Sequence, residues 1–183
     1  LMLCLPGQTV ERVRRSVDFC LGLEVPHVSA YMLKVEAATP FAAQGMEARM
    51  PDEEIQRGLY LEACRRLEDG GLRQYEISNF SRMGYQCRHN MGYWEGEDYL
   101  GLGPGATSTL GGRRWTNAAD LAAWAEAVRR HAVAADAEEL TLTDRVLELI
   151  MLRLRTARGL RVKAYRELTG RDLLRDHKDL IHA

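Results

Sequence analysis

The 183-residue sequence has no CxxC pair, no large surplus of charge of either sign and no long hydrophobic run. Its four cysteines, Cys4, Cys20, Cys64 and Cys87, are scattered, which argues against a zinc knuckle and against a secreted disulfide framework. A reducing, cytoplasmic setting is therefore expected. Lys and Arg number 25 against 26 Asp and Glu, a formal net charge of -1. No global field draws in nucleic acid, and none is expected as a partner, while local patches leave peripheral membrane contact open. Every apolar candidate is interrupted by Arg or Glu well short of the roughly 20 residues that span a bilayer. Leu1 to Leu5 lacks a basic flank and stops at Pro6-Gly7, so it does not read as a secretory signal. Internal repeats and low-complexity tracts are absent, and the Ala-rich stretch from Ala118 to Ala135 is a good helix former.

What is present suits a folded chain of one domain or a domain and a half, with 46% hydrophobic and 28% charged residues. Leu1 to Leu5 reads as a buried strand. Thr9 caps a helix with Val10, Val13, Val17, Cys20 and Leu21 at helical spacing. His27 to Lys34 reads as a second strand, with Val28, Ala30 and Met32 on one face. Strand, helix and strand in about 34 residues is the length of one parallel βαβ unit, so the first part is α/β and its remaining strands are expected upstream. Asp52 opens a long helix carrying Ile55, Leu59, Ala63 and Leu67, stopped by Gly70-Gly71. Leu72 to Phe80 reads as one strand. Tyr99 to Leu110 is glycine-punctuated extended chain, closed by a Gly111-Gly112 turn. Asn117 or Asp120 opens a helix to about His131. From Thr143, read as a cap, only helices follow: one with Val146, Leu147, Ile150, Met151 and Leu154, then shorter ones at Val162 to Leu168 and from Arg171. The amphipathic pattern runs on through Asp179 to Ala183, and both ends are expected to lie inside longer elements.

Four segments carry more than periodicity: Leu3-Cys4-Leu5-Pro6-Gly7-Gln8-Thr9, Glu76-Ile77-Ser78-Asn79-Phe80, His89-Asn90-Met91-Gly92-Tyr93-Trp94, and Gly101-Leu102-Gly103-Pro104-Gly105-Ala106-Thr107-Ser108. If His89 to Trp94 is helical, His89 and Tyr93 share a face one turn apart. An imidazole beside an aromatic ring can ligate heme iron while the ring packs on the porphyrin. The bland alternative has His89 and Asn90 satisfying backbone groups and Tyr93 and Trp94 filling core. Cys87 reads as a structural thiol or a second soft ligand. His131, His177 and His182 lie in or near helices with no adjacent aromatic, and His27 lies in a strand. The glycines at 101, 103 and 105 lack the following helix of a dinucleotide fingerprint and read better as positive-φ positions or close approaches. Arg88, Arg113 and Arg114 are candidates for carboxylate pairing, on the protein or on porphyrin propionates.

In this order the four segments resemble the coproporphyrinogen oxidase-like heme chaperone family of radical S-adenosylmethionine proteins, whose patterns read DLIYGLPGQT, EISNFA, HNxxYW and GLGPGAHS. The likeness runs from Leu1 to about Thr156. Cys4 replaces the family's Gly and Thr107 its His, and the family's Asp would precede Leu1. The resemblance implies the C-terminal part of a partial (β/α) barrel (1–50), an α+β extension with the later motifs (51–137), and the start of a helical, winged-helix-like domain (138–183). It implies a heme-binding and heme-transfer protein with heme-acceptor proteins as partners. S-adenosylmethionine and a 4Fe-4S cluster serve the full-length relatives. His89 is then the iron ligand, with Asn90, Tyr93 and Trp94 around the heme, and Met32, Gly103, Gly105 and Thr107 lie near S-adenosylmethionine. Plain core is the competing reading of Met32. The family's CxxxCxxC loop, whose three thiolates leave one iron open, is not in this sequence, so the chain alone is expected to be inactive. Alternatives are an oxygen-independent coproporphyrinogen III oxidase, which decarboxylates propionates, and a winged-helix interaction module. The HNxxYW segment favours the chaperone.

Overall fold

The computed structural model describes residues 1–134 and 136–178, in two compact units, Leu1–Cys87 and Arg88–Ala183. The pattern through 179–183 lies outside the described residues. The unit boundary falls within the 51–137 segment; that three-part division follows family motifs rather than compactness and is kept as a proposal.

In the first unit β1 (Met2–Leu3) pairs in parallel with β3 (Tyr31–Met32), and α1 (Val10–Gly22) crosses between them. This is the expected βαβ unit. Thr9 caps α1, its hydroxyl accepting from Arg12 N–H at 3.4 Å. Cys4 sits at φ 63, a conformation glycine adopts freely, at the place where the family pattern has glycine. The expected single strand from His27 divides at Ala30, whose N–H donates to Ser78 O at 2.7 Å. Before it, β2 (His27–Ser29) runs antiparallel to β5 (Asn79–Ser81), which also pairs with β4 (Arg73–Glu76). Leu72 to Phe80 is thus a hairpin rather than one strand, turning at Ile77-Ser78 with Ser78 at φ 79.

α3 (Glu53–Asp69) begins at Asp52, whose carboxylate accepts from Ile55 N–H at 2.8 Å, and ends at Gly70. Between Thr39 and Arg49 lie a short helix, α2 (Pro40–Ala43), and a 3-10 turn. Val13 and Val17 of α1 and Leu59, Ala63 and Leu67 of α3 close a core with Leu3, Val28, Ala30, Leu72 and Phe80. Each large aliphatic buried there stabilises by about 1.5–3 kcal/mol. Ile55, expected on the same stripe, is exposed instead. Cys20 and Cys64 pack against this core, as a small hydrophobe should. Arg66 clasps Asp18 at 2.5 and 2.7 Å, and Arg14 meets Glu62 at 2.6 Å, tying α1 to α3.

The second unit opens with α4 (Arg88–Glu95). β6 (Thr107–Leu110) and β7 (Arg113–Thr116) form the expected hairpin, with Gly111 and Gly112 at φ 60 and 80, and β8 (Glu138–Glu139) adds a third strand. α5 (Leu121–Arg129) starts at Asp120. α6 (Leu142–Arg153) is capped by Thr141, not Thr143: Thr141 and Asp144 form a reciprocal capping box, and Thr143 has no such partner three residues on. Leu147, Met151 and Leu154, expected inside, are exposed. α7 (Val162–Thr169) and α8 (Leu173–Asp176) complete the expected helical run. Among the described residues no helix is long and apolar enough to cross a membrane.

Candidate functional site around the first helix of the second unit

α4 contains the whole HNxxYW segment. Met91 is buried and anchors the helix, while Gly96, at φ 69, ends it by donating to Tyr93 O at 3.0 Å. His89 and Tyr93 lie one turn apart with ring centroids 4.8 Å apart at 82°, edge to face. Tyr93 in turn meets Tyr99 at 4.7 Å and 74°. Such contacts contribute about 0.5–1.5 kcal/mol each and fix ring orientation. His89 is exposed, Asn90 is half-buried, and Tyr93 keeps 41% of its surface. Tyr93 therefore does not fill core. Trp94 is half-buried and lines a cavity of about 650 Å³ with residues of α6 and α7.

The other histidines differ. His27 Nε2 lies 2.9 Å from the Tyr75 hydroxyl, and burial pushes its imidazole pKa down. The same hydroxyl accepts from Cys87 N–H at 3.2 Å. His177 has no aromatic neighbour in sequence but meets Tyr165, twelve residues back, edge to face at 5.8 Å and 79°. His131 is exposed, at φ 53 beyond α5.

In the glycine-rich segment Gly103 and Gly105 have φ 100 and 70, and β6 follows directly, so these are turn glycines and not a dinucleotide fingerprint. A Cβ at Gly101 would come 2.3 Å from Thr107 O, which enforces glycine there. Asn117, one of two expected helix starts, does not cap α5, which begins at Asp120; it is buried and straps the loop by donating to Gly101 O at 3.3 Å and Gly103 O at 2.8 Å. Thr107 Oγ1 lies 2.9 Å from Thr116 Oγ1. Met32 belongs to the first unit and is 49% exposed, so it is not core. Arg113 pairs with Glu139 at 3.1 Å, and Arg114 grips Glu148 with both terminal nitrogens. Arg88 makes no ion pair among the described residues. Sequence reasoning also missed Glu95, held by Arg153 and Arg158; nothing in spacing marks a carboxylate shared across 58 and 63 residues.

The thiols do not suit an iron–sulfur cluster. Among the described residues no group of three or more His, Cys, Asp and Glu is placed to hold a metal. Cys4 is buried, its thiol 3.6 Å from Gln56 O, and burial pushes the pKa of both Cys4 and Cys64 up, away from the thiolate a metal needs.

Residues 140–183 match the HemN C-terminal domain family. The chain is 34% identical over 176 residues to the heme chaperone HemW of Bacillus subtilis (strain 168), covering 94% of this chain and 46% of that protein. It is 35% identical over 158 residues to HemW of Mycobacterium tuberculosis (strain ATCC 25618 / H37Rv), covering 85% of this chain and 40% of that one. Over 108 residues it is 40% identical to radical S-adenosyl methionine domain-containing protein 1, mitochondrial, of Danio rerio, covering 58% and 24%. The chain thus spans less than half the length of these curated relatives. The solved structure of coproporphyrinogen III oxidase (HemN) from Escherichia coli, described as a radical SAM enzyme, shares the fold at a TM-score of 0.73 and 20% identity, over 97% of this chain and 44% of that one. With four motifs in family order and the fold to match, the chain belongs to the HemW and coproporphyrinogen oxidase-like family of radical S-adenosylmethionine proteins.

Proposed function

We propose that this chain carries the heme-holding segment of a heme chaperone, which takes heme as cargo and passes it to acceptor proteins in the cytoplasm. One observation carries the reading: an exposed His89 held edge-on by Tyr93, on a helix anchored by buried Met91. A neutral imidazole offers a lone pair to iron. Tyr93 restrains its rotation and leaves ring surface to pack on a porphyrin, and Asn90 supplies a polar neighbour. An exposed ligand fits cargo that must leave again, since a buried one would retain it. The relatives named heme chaperone HemW support the same reading.

Gly103, Gly105 and Thr107 of the second unit are proposed as contacts to S-adenosylmethionine in the full-length protein; for Met32 of the first unit the family resemblance alone supports such a contact. Positive-φ glycines expose backbone groups to a cofactor at no steric cost, and the Asn117 strap holds that backbone in place. Bound to a four-iron cluster, S-adenosylmethionine would supply radical chemistry; the thiols among the described residues do not fit that cluster.

The test is a hemin titration of the 183-residue chain followed at the Soret band. His89→Ala should shift or abolish the band. His131→Asn, which suits the positive φ at 131, should leave it unchanged. Equal spectra for all three at equal folding would make His89 a structural residue.

A further inference from the structure

α4 is eight residues long and buries only Met91 among its side chains. A helix of about two turns is marginal by itself and takes its rigidity from what it packs against. His89, exposed on its face, makes no hydrogen bond or ion pair among the described residues. A metal-binding imidazole is ordinarily fixed by donating its second ring N–H to a carboxylate or a carbonyl. Here the ring contact with Tyr93, 4.8 Å between centroids at 82°, takes the place of that bond. Tyr93 lies on the same short helix and is itself exposed, so it needs a support of its own. Tyr99 supplies it, half-buried, with its ring 4.7 Å from that of Tyr93 at 74°. Unlike the other two rings, Tyr99 is tied to the sheet. Its N–H donates to Thr109 O at 2.7 Å and Thr109 N–H donates to Tyr99 O at 2.9 Å, a closed antiparallel bridge. Thr109 sits inside β6, opposite Arg114 of β7. The three rings thus form a column with its foot on a hairpin and its free end at His89.

We propose that Tyr99 is a positioning residue for the heme ligand, a strut that carries the rigidity of the β6–β7 hairpin through Tyr93 to the imidazole of His89. The proposal rests on the heme reading of His89. Edge-to-face contacts fix the angle between two rings as well as their distance. The column therefore selects one orientation of the imidazole plane over a porphyrin. The Tyr99 ring does this, and its hydroxyl is not needed. Removing the ring leaves His89 able to bind iron but free to turn, so ligation persists while its geometry spreads.

The experiment loads hemin onto the 183-residue chain and records the ferric electron paramagnetic resonance spectrum. Its rhombic splitting depends on how the imidazole plane lies over the porphyrin nitrogens. Tyr99→Leu should keep imidazole ligation yet broaden or shift that splitting, and Tyr99→Phe should keep the wild-type lines. Hemin affinity should fall in Tyr99→Leu by about tenfold or less, the loss of one aromatic contact. In a Tyr93→Leu background, Tyr99→Leu should add nothing further to the splitting, because the column is already cut. Tyr99→Met, which keeps apolar bulk without a ring, takes its place if Tyr99→Leu does not fold; all comparisons are made at equal folding by circular dichroism. A spectrum unchanged in Tyr99→Leu, a Tyr99→Phe spectrum as broad as that of Tyr99→Leu, or an undiminished Tyr99 effect without Tyr93 overturns the strut. Failure of the heme reading looks different: the wild-type signal would then survive His89→Ala.

Discussion

The two units are stabilised by different forces. The continuous hydrophobic core, from Leu3 through Phe80, lies wholly in Leu1–Cys87. Among the described residues of the second unit, only Met91 and Tyr165 are buried hydrophobics, alongside the polar Ser108, Asn117 and Thr156. There the stabilising contacts are directional: Arg114 on Glu148, Arg153 and Arg158 on Glu95, and Asn117 on the glycine loop. Burial of apolar surface is non-directional and is not weakened by ionic screening, whereas ion pairs are screened and can be exchanged. On the proposed heme reading, the cargo site would lie in the second kind of structure, where contacts open at low cost.

The sharpest way to break this contrast is in the core. Phe80→Ala should cost about 3–5 kcal/mol by loss of transfer energy and cavity formation, read from urea unfolding. A loss below about 1 kcal/mol would mean that the first unit does not depend on its core. Arg114→Gln should cost less, about 1–2 kcal/mol, between the values for exposed and buried pairs. Hydrogen exchange should localise that loss to β6 and β7, and 1 M salt should shrink it; a salt-independent loss would contradict the electrostatic account. Thr141→Ala should remove a cap worth about 1 kcal/mol, while Thr143→Ala should stay within about 0.5 kcal/mol. Equal effects in thermal melts would rule out the capping box.

The smallest effect is a pH dependence in the first unit. Burial holds the folded-state pKa of His27 below its ordinary value of about 6.5. Between the two values the unfolded chain binds the proton and the folded chain does not. Stability is therefore full above about pH 6.5 and declines as pH falls through the unfolded value toward the folded one. His27→Gln should flatten that slope. Asp18 and Glu62, held below the usual carboxylate range by Arg66 and by Arg14 and Arg65, add a separate loss in more acidic solution. A slope that survives His27→Gln at pH 5–7 assigns it to another group.

Local signals were legible and long-range partners were not. Thr9, Asp52 and Asp120 each announced a helix start because capping is a contact over two or three residues. Gly111-Gly112 announced its hairpin for the same reason. The turn at Ile77-Ser78 was hard to see because Ile is no turn former, Ser is a weak one, and the positive φ at Ser78 is one that non-glycine residues seldom adopt; the Ser78 carbonyl accepts from Ala30 across the chain. The segment from His27 was read as one strand since alternation reports faces and not partners; its halves join different neighbours. At the candidate site the one-turn relation of His89 and Tyr93 follows from spacing alone. Tyr99 as the third ring, the Asn117 strap and the two arginines on Glu95 arise from chain folding over long separations.

The most direct test of the central claim is ligand rescue. Hemin is added to wild type and to His89→Ala, and the Soret band and the electron paramagnetic resonance spectrum are recorded with and without free imidazole. If His89 is the iron ligand, the variant loses the imidazole-ligated signature and millimolar imidazole restores it, while Tyr93→Ala weakens binding with the signature kept. A His89→Ala protein whose heme spectrum matches wild type before any imidazole is added would contradict the account.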